Sequence, residues 1–554
     1  MALQVIADDI YYLVFEELDR RSDVSAFMRS SRSFFHIGVD RLLKMGVYIY
    51  TDNELASFCH FMKRNFITVH IAASQLEELT ISIDWVDKED TTSVDRPSDK
   101  ESIKSTQGAS LLVPVLGYLT GLQRLTIESC EMLLQCDEQL VAAFAALTTL
   151  GELNVTGFGL LTYQVIADVR SYLCKIYVDC GYEIPNQPAE NHTSQGLDLL
   201  DPLQMLCRHQ GTLQEVTIHA ANMTARLPRT NDYAFAQVHI LALKRCYVRE
   251  RELVMNAFPN VNWLEMFWIE VSNGQEDPSV NVDEIRAVNL AFPMQWAPLD
   301  FVYADVDSLF ALAFKSRVHR LDVALWELEA IDIEHLRTVL ADVQPRHLVV
   351  QWGYWDAFRE LSVEISPELL GQLFAGVEER IINEITHFGL DLGLKNLIDD
   401  PALYTVCAAS SCCTHFADNH FHDNKDAVAQ LLASLPRVRC FAFRLHAVSR
   451  EYEDDFANAT PEDREDDIVE VLAAGFDVEI LAALAAQIAS AARSVTLLCF
   501  FVMSRRVFWR VARDASGSLT RIGEEEGEHL MAAEGILWHC PSKIWWPRNP
   551  SHDE

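Results

Sequence analysis

The chain has 554 residues, 49% of them apolar, and a formal net charge of −36. That much apolar material excludes a disordered chain, and a field of that sign repels phosphate backbones and anionic lipid, so nucleic acid and membrane surfaces are poor partners. Its 13 cysteines are scattered through apolar runs such as VRCFAF and TLLCFF, which reads as buried thiols of a reducing compartment rather than a disulfide framework.

The first predicted element is a helix. Ile6, Ile10, Leu13, Val14 and Leu18 recur at helical spacing and form one face, with Asp8 and Asp9 in the first turn, where the helix dipole favours negative charge. The same acidic pair argues against a signal peptide, and the expected location is the cytoplasm or nucleus. Tyr11 and Phe15 point to a second side, so this helix needs two surfaces to bury. A second helix is expected from about Asp23 to Phe35, capped by Ser22 or Asp23, with Val24, Phe27, Met28 and Ser31 along one side. Two more helical patterns follow, SFFHIGVDRLLKM and NELASFCHFMKRN.

From about Leu76 the period changes. Strand-like stretches recur ahead of helical or loop material: LEELTIS, LQRLTIE, LGELNVT, LQEVTIH, VHILALK, VNWLEMFW, VHRLDVA, RHLVVQ, VRCFAFR and SVTLLCFF. In several, a Leu and two variable residues precede alternating apolar positions, as in Leu122–Gln123–Arg124–Leu125–Thr126–Ile127, which puts Leu125 and Ile127 on one face. One such strand cannot bury its apolar face alone, whereas a stack of strand–helix units can. The spacing runs irregularly from about 20 to about 60 residues, where a regular leucine-rich array holds 20–29. Cys130 and Cys246 stand where that array keeps its Asn or Cys ladder residue.

The expectation is therefore an α/β chain: a helical module over residues 1–46, a linking helical segment over 47–75, and an irregular leucine-rich-repeat-like strand–helix solenoid over 76–554. A non-repeating α/β domain is the alternative. Polar loop insertions are expected at about 87–110, 183–197, 272–282 and 451–467, the last a dense acidic run. RVFWRVARDASGSLTRIGEE suggests two strands around a turn, and the tail carries Trp538, Trp545 and Trp546. The longest apolar runs fall short of the roughly 20 residues that span a bilayer.

No phosphate-binding glycine loop, zinc-protease helix or nucleophile elbow occurs, so the chain is expected not to be an enzyme and to need no cofactor. Cys412, Cys413, His415, His420 and His422 are zinc-competent in type, but their spacing matches no common zinc finger, and ordinary loop or strand histidines are the expectation. Trp352, Tyr354 and Trp355 cluster after a strand. They would anchor a loop or, on the sharper reading, recruit a target.

The opening block resembles the F-box, a short helical module that binds the Skp-type adaptor of cullin-based ubiquitin ligases. Ile6-Ala7-Asp8-Asp9-Ile10 fills the family's opening, Phe15 and Leu18 its middle, Asp23-Val24 its Asp-Leu position, and Ser31-Arg32-Ser33-Phe34 its close. Ala7 replaces the usual proline, which pre-sets entry into the first helix. The resemblance implies a substrate receptor that meets the adaptor, and through it a cullin, by way of Ile6, Ile10, Leu13, Phe15, Leu18, Val24, Met28, Arg32 and Phe34. Some of these must instead hold the helices together. The solenoid would bind a protein target of unknown identity. The competing expectation is a solenoid scaffold unconnected with ubiquitin.

Overall fold

The structure is a computed structural model. It describes residues 10–18, 20–64, 74–83, 107–181, 201–221, 223, 233–248, 250–267, 282–293, 295–325, 330–352, 370, 372–394, 422–447, 478–502, 505–512 and 518–535. The chain divides into two compact units, Met1–Trp296 and Ala297–Glu554.

The first unit opens with helix α1 (residues 10–16), α2 (Arg21–Met28) and α3 (Arg32–Lys44). The second predicted helix is thus shorter than expected and starts two residues earlier. A turn at Arg29–Ser30 ends it, and Ser31 then caps α3 by accepting from the Phe34 amide at 3.3 Å. Eight parallel strands follow in chain order: β1 (Val47–Ile49), β2 (Glu78–Ile81), β3 (Arg124–Ile127), β4 (Glu152–Val155), β5 (Lys175–Asp179), β6 (Glu215–His219), β7 (Ile240–Lys244) and β8 (Trp263–Phe267). Between and after them run α4 (Asp52–Arg64), α5 (Gln107–Leu116), α6 (Cys130–Cys136), α7 (Gln139–Ala145), α8 (Leu160–Asp168), α9 (Pro202–Leu206), α10 (Arg251–Ala257) and α11 (Val282–Leu290). The expected linking helical segment holds the helix α4, as the NELASFCHFMKRN pattern anticipated, and also the strand β1. The helix at Gln107 also takes up the end of the loop expected over 87–110.

Register gives the reason for this order. Leu79, Leu125, Leu153, Ile176, Val216, Leu241 and Leu264 align in one row, and Ile81, Ile127, Val155, Val178, Ile218, Leu243 and Met266 in a second on the same face. Both rows are buried, and with the apolar sides of the helices they make the core. Strand order follows the chain, whereas a doubly wound sheet reverses its order at a switch point. The corner repeats after four of these strands, β3, β4, β6 and β7. Ser129, Gly157, Ala220 and Arg245 all stand two residues past the second row, and all have positive φ. The next position holds Cys130 and Cys246, both fully buried, and the Cys246 thiol donates to the Ile218 carbonyl of β6 at 3.3 Å. On the opposite face Arg124 pairs with Glu78 at 2.9 Å and Lys175 with Glu215 at 2.7 Å.

The second unit contains β9 (Leu299–Asp305), α12 (Val306–Ala311), β10 (Val318–Leu325), α13 (Ala330–Val343), β11 (His347–Trp352), α14 (Glu379–Ile382), β12 (His387–Leu394), α15 (His422–Ala433), β13 (Cys440–Ala447), α16 (Val478–Ala491), β14 (Leu497–Val502), β15 (Arg505–Val511), β16 (Leu519–Ile522) and α17 (Glu524–Ala533). Strands β9 to β14 are parallel and in chain order; β15 and β16 return antiparallel, as the turn sequence predicted. Leu321, Leu348, Phe388, Phe441 and Leu498 form one buried row, and Val323, Val350, Leu390, Phe443 and Phe500 another. The opposite face carries Arg320, Asp322, His347, His387 and Asp391, and α17 crosses it. Every described cysteine is a free thiol, and burial pushes the thiols of Cys59 and Cys130 up to about 12. Among the described residues no helix is long and apolar enough to cross a membrane.

Candidate docking surface on the N-terminal helices

Helix α1 has two apolar sides, and the structure sorts them. The aromatic side turns inward. Phe15, Val24 and Ile37 are buried at its centre, ringed by Tyr11, Leu18, Met28, Phe34, Leu42 and Met45. The rings interlock edge to face, with Tyr11 and Phe34 centroids 4.6 Å apart and Phe15 and Phe27 5.6 Å apart. Gly38 lets α3 come this close, because a Cβ there would stand 2.1 Å from Met28 Cγ. The aliphatic side of α1 faces outward. Ile10 is 52% exposed, Leu13 62% and Val14 38%, at spacings of three and four that place them on one stripe.

The expected contact residues fall on both sides of this division. Phe15 and Val24 hold the helices together and offer nothing to a partner while the module is folded. Leu18, Met28 and Phe34 are partly buried against the same cluster. Ile10 and Leu13 face outward and are exposed. Val14, on the same stripe in the sequence reading but absent from the expected contacts, joins them, as does Phe27 at 39% exposure. Arg32 begins α3, and Ile6 lies outside the described residues. Periodicity reveals two faces but not which one meets α2 and α3; the aromatics at Phe27 and Phe34 were the available signal.

The module is fixed to the start of the ladder. Arg21 Nη2 donates to the carbonyls of Met45, at 3.1 Å, and Gly46, and its guanidinium lies 4.8 Å from the Tyr48 ring centroid on β1. Arg41 Nη2 donates to the Leu18 carbonyl at 3.1 Å and closes the end of α1. A partner on the Ile10–Leu13–Val14 stripe would thus bind a braced surface, with less ordering entropy to oppose it.

The other candidates are less gathered. Trp352 ends β11, and Tyr354 and Trp355 lie outside the described residues. His422 begins α15, while Cys412, Cys413, His415 and His420 lie outside them. Among the described residues no group of three or more His, Cys, Asp or Glu is placed to hold a metal ion.

No protein-family model matches the chain, and no curated protein matches it. Among solved structures, a chain from the crystal structure of the Rad7 and Elc1 complex in yeast is similar at 11% identity, covering 64% of this chain and 86% of that one. Its TM-score is 0.21, so the fold of this chain rests on the strand order and register described above.

Proposed function

We propose that this chain is the substrate-receptor subunit of a Skp-cullin-F-box type ubiquitin ligase, acting in the cytoplasm or nucleus. The observation that carries the reading is the exposed stripe Ile10–Leu13–Val14 on a helical module whose own core is already filled by Phe15, Val24 and Ile37. An adaptor groove would remove this stripe from water, which favours association by about 25 cal/mol for each Å² of apolar surface covered. The role is non-catalytic. The strand–helix array would hold a protein target beside the transfer machinery, so that tethering raises its effective concentration.

Pull-down with purified Skp-type adaptor tests this directly. The full chain should bind, and a chain carrying Ile10→Asp and Leu13→Asp should lose at least about tenfold in affinity while melting at the same temperature, since both side chains are exposed. A wild-type chain that fails to bind the adaptor, or a doubly substituted chain that binds unchanged, rejects the proposal.

A further inference from the structure

The polar face of the second unit's sheet is occupied by a helix of its own chain. At the start of α17, Glu524 and Glu528 pair with Arg506, and Glu526 with Arg510 at 2.8 Å. All these side chains are about half exposed, so the pairs hold the helix only weakly. In the middle, Gly527 lies directly on the Phe508 ring, where a Cβ would stand 2.2 Å from Cγ. Met531 enters a small cluster with Cys440, Ala442, Leu497, Cys499 and Phe508. At the far end Glu534 Oε2 meets His387 Nε2 at 2.7 Å, and the Gly535 carbonyl accepts from Arg320 Nη1 at 3.1 Å. Within the helix only Gly527 and Met531 are buried.

The seat is shaped for a helix. On their core face strands β13 and β14 carry Phe441, Phe443, Leu498 and Phe500; on the α17 face the same strands carry Cys440, Ala442 and Cys499, together with Leu497 and the partly buried Phe501. The three small side chains leave the space a helix fills, Leu497 and Phe501 pack in the same apolar cluster, and Arg506 and Arg510 stand where its acidic first turn arrives. We propose that this face of β10–β15 is a helix-binding groove whose external ligand is a short helix of the chemistry α17 displays: an acidic first turn, a glycine at the Phe508 contact, a methionine four residues on and a carboxylate three beyond it. Helix α17 is then the resident occupant, displaced when such a partner docks. The proposal rests on the receptor reading only in taking a sheet face as the target surface. Its test uses no adaptor, so either can fail alone.

Gly527→Ala separates docking from helix formation, because alanine favours the helix while its methyl has no room against Phe508. A fluorescent peptide of residues 523–535 should bind the full-length Gly527→Ala chain at least about tenfold more tightly than the wild-type chain, whose groove is filled. The peptide carrying alanine at 527 should bind neither. A Gly527→Ala chain that melts like wild type yet ignores the wild-type peptide overturns the proposal. If the variant does not fold, hydrogen exchange on the unaltered chain decides. Amides of α17 that exchange well before those of β12–β14 support a displaceable helix; amides that exchange together with those strands make α17 an integral part of the unit and end the idea.

Discussion

His387 and Glu534 stand 147 positions apart in the chain, yet their Nε2 and Oε2 atoms are 2.7 Å apart. The contact sets the end of α17 over a stack of imidazoles, with His347 3.8 Å from His387 and 4.6 Å from His319 between ring centroids. Burial, helped by the neighbouring His387, His319, Arg320 and Arg346, holds His347 down to about 2. Burial also lowers His387, with Arg439 and Arg346 adding to it, against the upward pull of Glu534.

Both shifts run downward from the ordinary value, so the opened or unfolded chain binds protons that the folded site refuses. The stability this site contributes is complete above about pH 6.5 and is lost as the pH falls below it, by up to about 1.4 kcal/mol per pH unit for each histidine. The urea midpoint should therefore fall between about pH 7.5 and about pH 5.5. His347→Phe should flatten that fall, since the ring stays stacked and its buried Nδ1 has no partner among the described residues to lose. A wild-type midpoint that is level over this range contradicts the assignment.

Phe15→Ala should cost about 3–5 kcal/mol of stability and loosen α1 to α3 together, because the ring lies at the centre of their shared core. Leu13→Ala, two residues away and mostly exposed, should change stability by no more than about 0.5 kcal/mol. Chemical denaturation followed in the near ultraviolet compares the two. Equal effects would mean the inward and outward sides of α1 have been misassigned.

Glu131 is buried on α6 and accepts from the Leu161 and Thr162 amides at 3.2 and 2.9 Å and from the Thr162 hydroxyl at 3.0 Å. It satisfies the free amides at the start of α8. Glu131→Ala would strand them, at about 1–3 kcal/mol, and Glu131→Gln should recover part of that. Hydrogen exchange localised to the first turn of α8 reads the effect; protection there unchanged by alanine would count against it.

Arg251, itself buried, donates through Nη2 to the carbonyls of Asn289 and Phe292, both at 3.1 Å, while its amide donates to Asn289 Oδ1 at 2.9 Å. Arg251→Met should destabilise the first unit by about 3 kcal/mol and speed proteolysis around α11, which these bonds tie to α10. A variant as resistant as wild type would show that α11 is held by other means.

Much of the ladder was legible because its strands obey a period-two rule on a strongly apolar face: each strand-like stretch named from the sequence contains a strand. Of the four strands not anticipated, β5 keeps the rule, with Ile176 and Val178 buried, but Tyr177 between them hides the alternation in the sequence; the other three break it for identifiable reasons. Strand β1 has three residues, too few for a pattern. In β12, Gly389 and Gly393 read as loop. Strand β9 is buried at nearly every position, so it shows a run and no alternation. The outward stripe of α1 was visible as spacing, but its exposure depends on Phe27 and Phe34 reaching Phe15 from other helices. The path of α17 could not be read at all. EEEGEHLMAAEG is an ordinary acidic helix until Phe508, His387 and Arg320 are known to lie beneath it.

The reversal of direction at β15 and β16 has a consequence for assembly. A ladder of parallel strands ends in a row of open backbone groups, ready to template another chain into a fibre. Among the described residues the last strand, β16, is only four residues long, and Thr520 and Arg521 lie exposed along it. A short, charged terminal rung is a poor template, so this margin of the sheet carries its own safeguard against edge-to-edge polymerisation.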